Sequence, residues 1–192
     1  YMPKLHMDNF SIIKYMKKNT TEKVAVLKGF VFGVNWNTSK HKEIISQAKN
    51  DLKNYDAIAW DGDLLKKDSF TRVLFNIMLE YPNKRYIAFK KRKSAKKLQS
   101  AYVENNHGVR AAGFPNLTKK GIEIVALNND ISWQNMGILA VQELQKHFKT
   151  VDIFFFGQGY VAKSEEKRIE SAKSIFPNVH IKRKYNILRK NA

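Results

Sequence analysis

Residues 56–71 read DAIAWDGDLLKKDSFT. An apolar run stops at Asp61-Gly62-Asp63, and Asp68, Ser69 and Thr71 follow shortly after. Two carboxylates flanking one glycine at a strand end suit two kinds of chemistry. Together they can hold a divalent cation through oxygen ligands, magnesium being the expected ion. Singly, Asp61 or Asp63 can act as a base in hydrolysis or transfer at a glycosidic or phosphate bond. A third use is purely local. Asp61 and Asp63 can form a turn, and Asp68 or Ser69 can cap the next helix with Thr71 in its first turn. On the sequence these uses stay open.

The elements that would position these residues follow from periodicity. Apolar runs at 24–32, 56–60, 85–89, 122–127 and 151–157 read as strands, and 179–187 as a sixth, more basic edge strand. Between them lie segments with apolar residues three and four apart. His41, Ile44, Ile45, Ala48 and Leu52 mark one helix, with Thr38 and Ser39 as cap candidates. Phe70, Val73, Leu74, Ile77 and Met78 mark a second, which stops at Pro82. Further helices are expected over 94–105, after Ser132, and over 163–176, the last with Glu165 and Glu166 in its first turn. Strands alternating with helices mean an α/β fold: a three-layer, doubly wound, mostly parallel sheet of five or six strands, Rossmann-like or flavodoxin-like. Residues 1–22 read as an N-terminal extension or surface helix, and 23–192 as one domain.

Open parallel sheets bind ligands beyond the carboxyl ends of their strands. That rule selects the loops that hold Asn35, Asn37 and Ser39; Asp61, Asp63, Asp68, Ser69 and Thr71; Lys90; Asn128 and Asp130; and Gly157, Gln158 and Gly159. The first loop lacks G-x-G-x-x-G, so the dinucleotide fingerprint is absent. An anion can still sit at the helix start near Thr38 and Ser39, or at the G-Q-G of 157–159. The same residues also serve ordinary turns and caps.

Two resemblances attach to the 56–71 stretch. Asp61-Gly62-Asp63 resembles the first motif of haloacid-dehalogenase-type phosphotransferases, although it follows the second strand, with Leu65 two residues after the second Asp. Asp61, Gly62, Asp68, Ser69 and Thr71 resemble the second-strand region of nucleoside 2-deoxyribosyltransferases and related Rossmann-like nucleotide-binding proteins. That likeness implies a strand-end Asp accepting hydrogen bonds from ribose hydroxyls and a helix start holding a polar or anionic group. Phe70 stands where the family has Gly, and Leu74 where it has its catalytic Glu, which implies that nucleophilic glycosyl transfer is lost.

Composition narrows the classes. The 192 residues are 43 % hydrophobic and 12 % aromatic, enough for a packed core. No cysteine is present, which excludes disulfides, zinc-thiolate sites and a Cys nucleophile. His6, His41, His107, His147 and His180 have no metal-ligand spacing. No apolar run approaches the roughly 20 residues of a membrane span, so a soluble, intracellular protein is expected. The net charge is +18, from 35 Lys+Arg against 17 Asp+Glu. Lys90, Lys91, Arg92, Lys93, Lys96 and Lys97 form one basic run and Lys182, Arg183 and Lys184 another. Such runs suit nucleic acid, another polyanion or an acidic protein surface. Two functions stand side by side: a protein that binds a nucleotide or nucleoside phosphate, and a non-catalytic basic module or subunit of a larger assembly.

Overall fold

The structure, a computed structural model, describes residues 22–28, 37–61, 71–91, 122–157 and 160–187. The expected N-terminal helix and the helix over 94–105 lie outside these residues. The described chain forms six strands, β1 (Lys23–Lys28), β2 (Ala57–Asp61), β3 (Arg85–Lys91), β4 (Ile122–Leu127), β5 (Thr150–Phe156) and β6 (Val179–Tyr185). Four helices join them: α1 (Ser39–Asp51), α2 (Thr71–Glu80), α3 (Trp133–His147) and α4 (Tyr160–Ser171). All six strands are parallel, in the order β4-β3-β2-β1-β5-β6. From β1 the chain steps outward to β4 at one edge. It then returns across the sheet to β5, on the other side of β1, and ends at the β6 edge.

That reversal explains the three layers. Crossovers between parallel strands are right-handed, so steps in opposite directions place their helices on opposite faces. Ala25, Leu27, Ile58, Trp60, Tyr86 and Ala88 pack with the Ile44, Ile45 and Ala48 face of α1 and the Val73, Leu74, Ile77 and Met78 face of α2. The alternate residues Val24, Val26, Ala57, Ala59, Ile87 and Phe89 pack with Ile138, Leu139 and Val141 of α3 and Ile169 of α4. Strands covered on both faces have no solvent side, which is why they are continuous apolar runs.

Local signals start the helices where expected. Thr38 caps α1, its hydroxyl accepting from the His41 N–H at 3.2 Å, and Ser132 caps α3 by accepting from Asn135 N–H at 3.3 Å. Helix α4 departs from expectation. It runs Tyr160–Ser171 rather than 163–176, so Glu165 is not a first-turn surface acid. Glu165 lies four residues before buried Ile169, on the same inward stripe, and is itself buried.

The β6 edge uses one extra residue. His180 pairs with Asp152 and Ile181 with Ile153, but Arg183 pairs with Phe154, which leaves Lys182 as a bulge. Ile181 therefore packs with the α3/α4 layer while Tyr185 packs with the α1/α2 layer, although both are odd-numbered. Tyr185 stacks on Phe156 with centroids 4.6 Å apart, and its hydroxyl donates to Asp51 at 2.6 Å. Deleting Lys182 should turn Tyr185 to the wrong face. The expected loss is about 3–5 kcal/mol, on the scale of an aromatic core truncation, read from the urea unfolding midpoint.

Candidate functional site

The reversal of strand order between β1 and β5 marks the crevice where an open parallel sheet takes ligands. Its floor is built from the last residues of the central strands. Leu27 pairs with Trp60, so Lys28 and Asp61 are the next residues out on neighbouring strands. Both point to the α3/α4 side, as Val26 and Ala59 do. The β5 residue paired with Lys28 is Phe155, on the same side and fully buried.

Lys28 closes an apolar strand with a charge, and its side chain is only 2 % exposed. An ammonium has three N–H donors. Its nitrogen lies 2.8 Å from Glu165 Oε2 on α4, 3.3 Å from the Gly137 carbonyl on α3, and 3.6 Å from Asp61 Oδ1. One acceptor therefore comes from each of two helices and the third from the neighbouring strand. Burying such a charge without partners costs several kcal/mol, and this set offsets that cost. Burial pushes the Lys28 amine down, but the Asp61 and Glu165 carboxylates outweigh it and hold the amine above 10.5. Burial pushes the Glu165 carboxyl up and Lys28 draws it down, while Asp61 repels it; the result lies above 4.5. The two directions agree once charges are counted. Two carboxylates share one ammonium, and the deeper one bears the excess. Glu165 is 4 % exposed and Asp61 15 %, so Asp61 is the more accessible of the two carboxylates.

Gly137 is part of this device. A Cβ built on Gly137 would overlap the Glu165 carboxyl group. Only glycine lets that carboxylate lie against the α3 backbone beside Lys28. Arg168, one turn beyond Glu165, donates to Asn135 Oδ1 at 2.9 Å and ties α4 to α3 nearby.

The other expected site residues have varied positions. Asn37 and Ser39 are exposed, before the Thr38 cap and at the first helical residue of α1. Thr71 opens α2. Lys90 is buried on the α1/α2 side of β3, whereas Lys91 ends that strand half-buried. Asn128 accepts from the Asp130 N–H at 3.2 Å, which makes the pair a turn. Gly157 is buried, has φ 79°, and donates its N–H to the Tyr185 carbonyl at 3.1 Å. Its left-handed conformation is one that L side chains rarely adopt. Asn35, Asp63, Asp68, Ser69, Gln158, Gly159, Arg92, Lys93, Lys96 and Lys97 lie outside the described residues.

Much of the basic surface that is described is internally paired. Arg183 bonds Asp51 at 3.1 and 2.9 Å, and Lys184 pairs with Glu166; Lys182 is exposed at the bulge. Lys84 donates to the Lys53 and Tyr55 carbonyls, and Arg85 pairs with Glu123. Those two sit at the amino end of β3, about 20 Å from Lys91 at 3.3 Å per residue. At the same amino edge Asp152 is buried, accepts from Tyr55 Oη, and lies 3.4 Å from His180 Nδ1. Among the described residues no group of three or more His, Asp or Glu is arranged to hold a metal, and no helix is long and apolar enough to cross a membrane.

No protein-family model, curated protein or solved structure matches the chain.

Lys28, Glu165 and Gly137 were not among the sequence candidates. One signal existed: a lysine inside the 24–32 apolar run, where a strand buried on both faces was expected. Two of its three partners come from helices more than a hundred residues later.

Two outcomes are expected. Gly137→Ala should cost about 1–3 kcal/mol by overpacking, and the cost should shrink in a Glu165→Ala background; urea unfolding of the double-mutant cycle checks this. Stability should also fall steeply above about pH 10. Burial, aided by Asp152 at Tyr55 and Asp51 at Tyr185, raises the Tyr55, Tyr86 and Tyr185 hydroxyls above 10.0, and Lys28 is raised above 10.5. Each group holds its proton more tightly when folded, so its contribution is complete below the unfolded value and lost as pH rises through the folded one. Unfolding midpoints between pH 8 and 11 measure the decline, and Lys28→Met should remove part of it.

Proposed function

We propose that the crevice outside β1, β2 and β5 binds a nucleoside or nucleotide, with Asp61 accepting hydrogen bonds from ribose hydroxyls. One observation carries this. A carboxylate ends β2 beside the point where strand order reverses, its charge braced from behind by a buried lysine. In doubly wound sheets an acidic residue soon after the first βα turn is the usual partner of a ribose hydroxyl. Asp61 is suited to it because it is the more accessible carboxylate of its cluster and the bracing ammonium lies beyond ordinary hydrogen-bond distance, at 3.6 Å.

The charge balance argues for a hydrogen-bond donor at this spot rather than a phosphate. Asp61 and Glu165 together exceed the charge of Lys28 by one. A phosphate belongs farther along the edge, on the side of Lys91, which projects to the same face one strand away. The chemistry such a pose supports is hydrolysis or transfer at a glycosidic or phosphate bond, with Asp61 as base or as one oxygen ligand to magnesium.

A thermal-shift screen with adenosine, ATP and NAD, each with and without magnesium, tests the proposal. A nucleoside or nucleotide at about a hundredfold excess over Kd should raise Tm by about 5–10 °C. Asp61→Asn should lose most of that rise while keeping its own ligand-free Tm within about 4 °C of wild type. A flat screen combined with steeply salt-dependent RNA binding would overturn it, in favour of a nucleic-acid module that draws on the +18 charge.

A further inference from the structure

We infer that Glu165 is a positioning residue for Asp61: by holding the Lys28 ammonium to itself, it keeps the Asp61 carboxylate open to a ligand. The inference rests on the ribose-binding role of Asp61 and adds how the protein controls that role.

The distances carry it. Lys28 Nζ lies 2.8 Å from Glu165 Oε2 but 3.6 Å from Asp61 Oδ1. The first is a charge-assisted hydrogen bond, and the second an ion pair without one. The ammonium is therefore committed to the helix layer. The Gly137 carbonyl at 3.3 Å pulls in the same direction. The ammonium lies close enough to Asp61 to attract it but too far to occupy its oxygen with a hydrogen bond.

The groups facing the triad make the assignment specific. From α4 come Glu165 and Arg168, and Arg168 is engaged with Asn135 of α3. The Gly137 carbonyl comes from α3, and Phe155 from β5 contributes no charge. On β3, Lys91 ends the strand on the same side as Asp61. Glu165 is thus the one carboxylate besides Asp61 that is paired with Lys28 among the described residues. Gly137 is the feature that admits it, since any side chain there would displace it.

Without the Glu165 charge, Lys28 has one anionic partner left. The four-carbon stem can swing less than an ångström to close on Asp61 and form a direct hydrogen bond. A ribose hydroxyl must then compete with an ammonium for the same oxygens. Glu165→Gln keeps the shape and an acceptor oxygen but removes the charge. It should therefore weaken ligand binding without opening the fold.

Calorimetric titration of adenosine into wild type, Glu165→Gln and the double variant Lys28→Met/Glu165→Gln tests this. Glu165→Gln should bind about tenfold more weakly, the scale of one charge-assisted hydrogen bond. The double variant should recover to near wild-type affinity, because the competing ammonium is gone and replacing a buried pair by uncharged groups is well tolerated. A second mutation that restores binding is not expected from general loosening of the site. Wild-type affinity in Glu165→Gln, or no recovery in the double variant, would overturn the inference and leave the ribose-binding role standing. Absence of wild-type binding to adenosine, ATP and NAD alike would overturn both.

Discussion

A single ammonium under the carboxyl edge of the sheet constrains much of the architecture around it. Lys28 is buried among largely apolar strands, so its charge must be met by protein groups. Two of its acceptors come from helices that cross the sheet at the end of the chain's second half, and one from the adjacent strand. Strand β1, strand β2, α3 and α4 must therefore dock in one arrangement. Gly137 has no side chain because the Glu165 carboxylate occupies that space. The inward position of Glu165, four residues before Ile169, follows from the same requirement.

The topology places this cluster where a ligand crevice forms. Had the chain continued outward from β4, Lys28 would lie beside no reversal of strand order. The return to β5 puts helices on the second face and brings Glu165 over β1. A different device holds the far edge. The Lys182 bulge moves Arg183 and Tyr185 to the α1/α2 side, where Asp51 receives both, while Ile181 stays in the other layer. Bulges of this sort also make an edge strand a poor template for pairing with another chain.

The positive charge of the chain is distributed less simply than its runs suggest. Lys84 and Arg85 lie only a few residues before Lys90 and Lys91, yet β3 carries the two pairs to opposite ends of the strand. Arg85 meets Glu123 and covers the Phe148 ring at 5.4 Å, and Lys84 lies 4.6 Å over the Tyr81 ring while bonding two carbonyls. Arg183 and Lys184 are held by Asp51 and Glu166. In these four the guanidinium or ammonium supports packing between elements.

Periodicity and local cap signals by themselves set out five or six strands alternating with helices, the doubly wound class, a basic edge strand near the end, and helix starts at Thr38 or Ser39 and at Ser132. Each of these depends on residues within a few positions of one another, where spacing and side-chain chemistry act directly. The strand-end position of Asp61 was legible for the same reason. The meaning of Lys28, Glu165 and Gly137 was not. Glu165 reads locally as an ordinary acid at a helix start, and Gly137 as a small residue inside a helix. Their roles depend on α3 and α4 packing over the end of β1, more than a hundred residues away in the chain. A buried charge has no local signature; it is recognised by the partners that folding brings to it.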